Sequence, residues 1–228
     1  MILVVSIGGS VLTSNLDPER IRKYASSIQA LAEEHTTYIV VGGGRIARDY
    51  ITAARDLGAN EVECDIIGID MTRINAKLLI AALDSTAYPV PLTSYQDARN
   101  AALTGRVVVM GGLIPGQTTD AVSAVLAEYV GADLLINATS VDGVYTADPN
   151  LDSKAEKISS MTPSQLVDIV IKINMSAGSN SPLDPLAAKI IQRCGIKTIV
   201  IDGREPGNIN EAAAGRHNGT LISVSPGR

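Results

Sequence analysis

The chain contains no phenylalanine and no tryptophan, and tyrosine, at seven of 228 positions, is its only aromatic residue. Its core must therefore be aliphatic, and a hydrophobic content of 46 % is enough to build a sizeable one. Cysteine is equally scarce. Cys64 and Cys194 each lack a CxxC neighbour, which leaves little basis for a disulfide framework or a zinc site and fits a reducing cytoplasm. There is no excess of basic residues: the net charge is −5 and lysines and arginines are scattered, so nucleic acid is not expected as a main partner. No apolar run approaches the roughly 20 residues that span a bilayer. MILVVSIGGSVL (1–12) lacks a basic leader and breaks at Gly8-Gly9, so it reads as a first strand rather than a signal peptide. A soluble protein with no membrane partner is expected.

What is present is an alternation of strand and helix patterns. ILVVSI (2–7), TYIVV (37–41), a short YPVPL (88–92), RVVVM (106–110), DLLINAT (133–139) and KTIVI (197–201) read as strands, with GTLISV (219–224) closing the sheet at its edge. Helices are read from Asp17-Pro18 onward, over 45–58 ending at Gly58, and over 66–84, 94–103, 121–131, 162–171 and 184–195. NMSAGSNSP (174–182) is a polar break, and SVDGVYTADPNLDS (140–153) a loop or hairpin. Alternation with fully apolar strands predicts a mostly parallel central sheet with helices on both faces, an α/β fold. A division near residues 125–135 would separate an N-terminal lobe (about 1–130) from a C-terminal lobe (about 131–228).

Three strand exits carry glycine: SIGGS (6–10), VVGGGR (40–45) and VMGGLIPGQTTD (109–120). Glycine lets the backbone turn tightly and approach a ligand, and the following helix N-terminus offers free N–H groups to an anion. One such loop often serves packing alone; three in one sheet suggest several phosphates in one crevice. Gly42-Gly43-Gly44-Arg45-Ile46-Ala47 also fits G-x-G-x-x-A, with Asp65 about 20 residues on, the pattern of a dinucleotide site. Against that reading, the pattern follows the second strand rather than the first. No G-x-x-x-x-G-K-[ST] sequence occurs, which excludes a P-loop enzyme. In VDGVYTADP (141–149), Asp142-Gly143 signals a hairpin turn, while Tyr145, Asp148 and Pro149 suit a nucleobase and its ribose.

SIGGS, VVGGGRIAR, IGIDMTRINAKLL, GGLIPGQTTDA, NATSVDGVYTADP and DPLAAKII, in this order, resemble the amino acid kinase family, and GGLIPGQTTD with IGIDMTRINA resembles its archaeal-type uridylate kinase branch. The resemblance runs from about residue 2 to about 222. It implies an αβα sandwich and transfer of the γ-phosphoryl group of ATP to UMP, giving UDP and ADP with Mg²⁺, with UDP feeding UTP and CTP synthesis. It implies ATP contacts at Gly9, Ser10, Gly44, Arg48, Thr139, Tyr145 and Asp148. UMP contacts would be Gly43, Asp65 and the loop Ile114, Pro115, Gly116, Gln117, Thr118, Thr119 and Asp120. A homohexamer is implied. The pattern of 74–83 reads as core or subunit interface, where Asp70 and Arg73 could contact a neighbouring subunit.

One departure stands out. Many members of the family carry lysine where this chain has Ser6, and that lysine neutralises the moving phosphoryl group. Phosphoryl transfer rests on positioning and charge stabilisation, so another cation is required. Mg²⁺, then Arg45 and Arg48, then Lys189 are the candidates; no carboxylate cluster marks a metal site. No general base is needed, because a monophosphate is already an anionic nucleophile. His35 and His217 read as surface residues. The alternatives are a kinase for another small acid, or an inactive nucleotide-binding protein in which Ser6 has replaced the lysine.

Overall fold

The computed structural model describes residues 1–147, 149, 151–174 and 183–224. In chain order the elements are β1 (Ile2–Ile7), α1 (Gly9–Leu12), α2 (Pro18–Glu34), β2 (Thr36–Val41), α3 (Gly44–Asp56), α4 (Glu61–Leu83), α5 (Tyr95–Ala102), β3 (Val108–Met110) and α6 (Thr119–Val130). The second half adds β4 (Leu134–Thr139), β5 (Val144–Tyr145), β6 (Lys157–Ile158), β7 (Ser160–Met161), α7 (Pro163–Asn174), α8 (Pro185–Cys194), β8 (Thr198–Asp202), α9 (Asn208–Ala213) and β9 (Thr220–Ile222).

Seven strands form one sheet in the order β3-β2-β1-β4-β8-β9-β7, and only the β8–β9 pair is antiparallel. Strand residues alternate between two cores, as a sheet covered on both faces requires. Leu3, Val5 and Ile7 join Tyr24, Ile28, Leu79, Leu83 and Ile209, from α2, α4 and α9. Val4, Tyr38 and Val40 join Ala98, Leu126, Leu166 and Ile191, from α5 to α8. The mostly parallel αβα sandwich expected from the sequence is the one observed. Strand order reverses around β1, which pairs with β2 on one side and β4 on the other. In such sheets the ligand crevice lies outside the strand C-termini at that reversal.

Several expectations need correction. YPVPL is no strand: only Ala87 and Leu92 bridge to the β3 segment, because Pro89 and Pro91 bend the chain away between them. β9 is not the sheet edge, since β7 lies beyond it. Asp142-Gly143 is not a hairpin turn; it precedes β5, whose antiparallel partner is the distant β6. α4 begins five residues earlier than the apolar pattern suggests, because the side chains of Asn60 and Glu63 cap its N-terminus reciprocally. α9 was not foreseen. The polar break 174–182 falls, from residue 175 onward, outside the described residues. Among the described residues no helix is long and apolar enough to cross a membrane.

Candidate active site

The exits of β1 and β2 touch through bare backbone. A Cβ built on Gly9 would lie 2.2 Å from the Gly44 nitrogen and 2.4 Å from the Gly42 oxygen. Gly44 also sits at φ +69°, a left-handed conformation that side chains rarely adopt. The packing explanation of these glycines is therefore correct as far as it goes. Its consequence is that the starts of α1 and α3 come within a few ångströms of each other.

A cavity of about 440 Å³ opens beside this junction, lined by Gly43, Gly44, Arg48, Asp65, Thr72, Gly112 and the run Gly116, Gln117, Thr118 and Thr119 among others. Two helix N-termini border it. α3 begins at Gly44, and α6 begins at Thr119 with Thr118 as its cap, whose hydroxyl accepts from the Ala121 N–H at 3.1 Å. Free N–H groups and the positive ends of two helix dipoles thus converge on one space, which suits an anion. On the other side the Asp65 carboxylate accepts from the Gly116 N–H at 2.8 Å, tying α4 to the loop after β3. Ile114 and Pro115 are exposed and do not line this cavity.

A second cavity, about 550 Å³, is lined by Gly9, Ser10, Thr13 to Leu16, Arg45, Ile46 and Arg48. Arg48 borders both spaces. Arg45 and Arg48 are exposed, and neither makes an ion pair among the described residues. Lys189 is different: it is exposed on α8, its amine donates to Gln192 at 3.3 Å, and it lines neither cavity.

At the position of the absent lysine, the buried Ser6 hydroxyl donates to the Asp120 carboxylate at 3.1 Å. Asp120 does not line the 440 Å³ cavity; it faces the end of β1. Removal from water and the nearby Asp184 charge push its carboxyl up to about 7, against a smaller opposing effect of the Ser6 hydrogen bond. Asp184 caps α8, accepting from the Leu186 and Ala187 N–H groups at 2.8 and 3.0 Å, and also accepts from the Thr118 hydroxyl.

Thr139 and Tyr145 line neither of these two cavities. Thr139 ends β4, its carbonyl accepting from the Gly203 N–H at 2.7 Å. Tyr145 lies in β5 and its hydroxyl donates to Asp142 at 2.7 Å. Asp148 lies outside the described residues. His35 and His217 are half-buried rather than surface residues, each with an unpaired, inaccessible Nδ1. Asp70 and Arg73 pair with each other at 3.8 Å along α4.

A model of the amino acid kinase family matches residues 1–202. The chain belongs to the amino acid kinase family. It is similar to the uridylate kinase of Methanococcoides burtonii, 57 % identical over 92 % of this chain and 90 % of that protein. It is also similar to the uridylate kinase of Haloquadratum walsbyi, 55 % identical over 100 % of this chain and 95 % of that protein. Among solved structures, uridylate kinase from Archaeoglobus fulgidus superposes with a TM-score of 0.90 at 48 % identity, covering 98 % of this chain and 100 % of that one. Family membership removes the dinucleotide reading of Gly42 to Ala47.

In this amino acid kinase, three polar residues at the site went unassigned in the sequence. Asp184 was signalled only by Asp-Pro opening a helix. Thr72 and Asn75, buried within α4, were signalled by polar side chains in an apolar stretch. The Asp120 environment leads to a test. Its folded-state value lies above the ordinary 3.8, so between about pH 4 and about pH 7 the folded protein keeps a proton that the unfolded chain has lost. Stability contributed at low pH is therefore withdrawn as pH rises through that window. Asp120→Asn, which cannot ionise, should melt above the parent at pH 8, with the gap closing toward pH 4.5 in ligand-free thermal unfolding. A gap independent of pH would show that Asp120 ionises freely.

Proposed function

We propose that this chain catalyses transfer of the γ-phosphoryl group of ATP to UMP, yielding UDP and ADP, as a step toward UTP and CTP. The observation that carries the reading is the position of Arg48, on the border of two cavities whose walls are helix N-termini and glycine turns. The relatives' activity and the anion-binding character of both spaces support it.

In this reading UMP occupies the space between Gly43, Asp65 and Gly116 to Thr119. The N–H groups of α3 and α6 orient its phosphate, and Asp65 accepts from a ribose hydroxyl. ATP lies with its phosphates against Gly9, Ser10, Gly44 and Arg48, and its nucleoside toward Thr139 and Tyr145. That arrangement makes the N-terminal lobe (about 1–130) the acceptor side and the C-terminal lobe (about 131–228) the donor side. A UMP phosphate oxygen attacks the γ-phosphorus in line, and the bond to the bridging ADP oxygen breaks. The arginines offset the charge on the equatorial oxygens, and no proton need be abstracted from the nucleophile.

The residues present fit Mg²⁺. Asp120 and Asp184 bring two carboxylates together with hydroxyls and no lysine, and Mg²⁺ is commonly held by one or two carboxylates plus substrate phosphates. Held by these two carboxylates, Mg²⁺ would supply the positive charge that a lysine supplies elsewhere in the family. Two free cysteines fit a cytoplasmic setting. The exposed apolar side chains Val62, Ile66, Ile74 and Leu78 on α4 fit a homo-oligomer, a hexamer by the family resemblance.

An ADP-release assay with ATP, Mg²⁺ and a panel of UMP, CMP, dUMP, glutamate and aspartate tests the assignment. Rapid turnover is expected with UMP and none with the amino acids; binding of ATP and UMP without turnover would instead indicate an inactive nucleotide-binding protein. Arg48→Ala should reduce kcat/KM by about a hundredfold, the scale on which a preorganised charge donor acts. Unchanged kinetics would place the charge compensation elsewhere.

A further inference from the structure

α4 places three polar side chains, Asp65, Thr72 and Asn75, on the face toward the site, and only Asp65 has a role so far. Thr72 lies seven residues on, two turns along the same face, and Asn75 one turn further. Both are buried, at 7 % and 1 % exposure. A buried polar group inside a helix is costly unless its hydrogen bonds are made. Here Asn75 bonds to the exit of β2, and Thr72 joins the exit of β3 to the carbonyl of Ile69 in its own helix.

Asn75 Nδ2 donates to the carbonyl of Gly42 at 2.9 Å and to that of Gly43 at 3.1 Å. These two consecutive carbonyls belong to the turn that packs on Gly9. Thr72 Oγ1 donates to the Ile69 carbonyl at 2.6 Å and accepts from the Gly112 N–H, also at 2.6 Å. The fit at that point is tight: a Cβ on Gly111 would lie 2.4 Å from Thr72 Oγ1. One rigid helix thus holds the turn after β2 and the loop after β3 at neighbouring points.

We infer that Thr72 and Asn75 are positioning residues for phosphoryl transfer, which set the spacing between the Gly42–Gly44 turn and the acceptor loop that begins at Gly111. The inference rests on the UMP kinase reading above. Neither residue needs to touch a reacting atom. Thr72 fixes where the acceptor loop starts, and with it the N-terminus of α6; Asn75 fixes the turn from which α3 and Arg48 project. Loss of either bond leaves the nucleotides able to bind but out of line, and misplacement by an ångström is enough to slow such a reaction about a hundredfold.

Two variants of near-identical size test this, each read by kinetics and by hydrogen exchange of the ligand-free protein. Thr72→Val should accelerate amide exchange of residues 111–118 at least tenfold, raise KM for UMP about tenfold and leave KM for ATP within twofold. Thr72→Ser, which keeps the hydroxyl, should restore all three. Asn75→Asp should accelerate exchange at 42–46 and lower kcat at least tenfold with both nucleotides saturating. Faster exchange without a kinetic change, or a kinetic change that Thr72→Ser fails to rescue, would overturn the positioning role. If Thr72→Val does not fold, the Asn75→Asp readings decide alone. A wild-type protein that does not turn over UMP would contradict the UMP kinase reading instead, and the exchange data would still report whether the two bonds hold the loops.

Discussion

The contact between Gly9 and the Gly42–Gly44 turn is the constraint on which the rest of the site depends. Two backbones meet there with no side chain between them, and a Cβ at Gly9 would overlap three backbone atoms. Because the exits of adjacent parallel strands are pressed together, α1 and α3 start side by side. The cavity lined by Ser10 and the cavity lined by Asp65 become neighbours, with Arg48 common to both. A side chain at that junction would have to push the two turns apart.

Charge is handled around the same point. Where many members of the amino acid kinase family carry a lysine, this chain has a serine hydrogen-bonded to an aspartate, with a second aspartate close enough to raise its proton affinity. The result is a site rich in carboxylate on one flank and in guanidinium and helix N-termini on the other.

Most of the fold was legible because its strands are apolar on both faces and its helices carry proline, glycine and aspartate at their ends. ILVVSI and Asp17-Pro18 are clear for that reason. YPVPL misled because its hydrophobicity is that of a strand while its two prolines forbid one. The true start of α4 was hidden because Asn60 and Glu63 act through capping and not through apolar spacing. Asp65 and Gly116 to Thr119, singled out together by the family resemblance, line one cavity. The partnership of Ser6 with Asp120 spans 114 positions and that of Thr118 with Asp184 spans 66, so local pattern carries no trace of either. Thr72 and Asn75 did leave a trace, as polar residues on the buried face of a helix, but their partners emerge only when β2 and β3 are adjacent in space.

In the proposed reading, donor and acceptor share one crevice bridged by Arg48. A crystal structure with UMP and a non-hydrolysable ATP analogue bound together tests it most directly. Both nucleotides should contact Arg48, with a UMP phosphate oxygen about 3.5 Å or less from the γ-phosphorus. Nucleotides lodged in separate pockets with no protein group in common would contradict it.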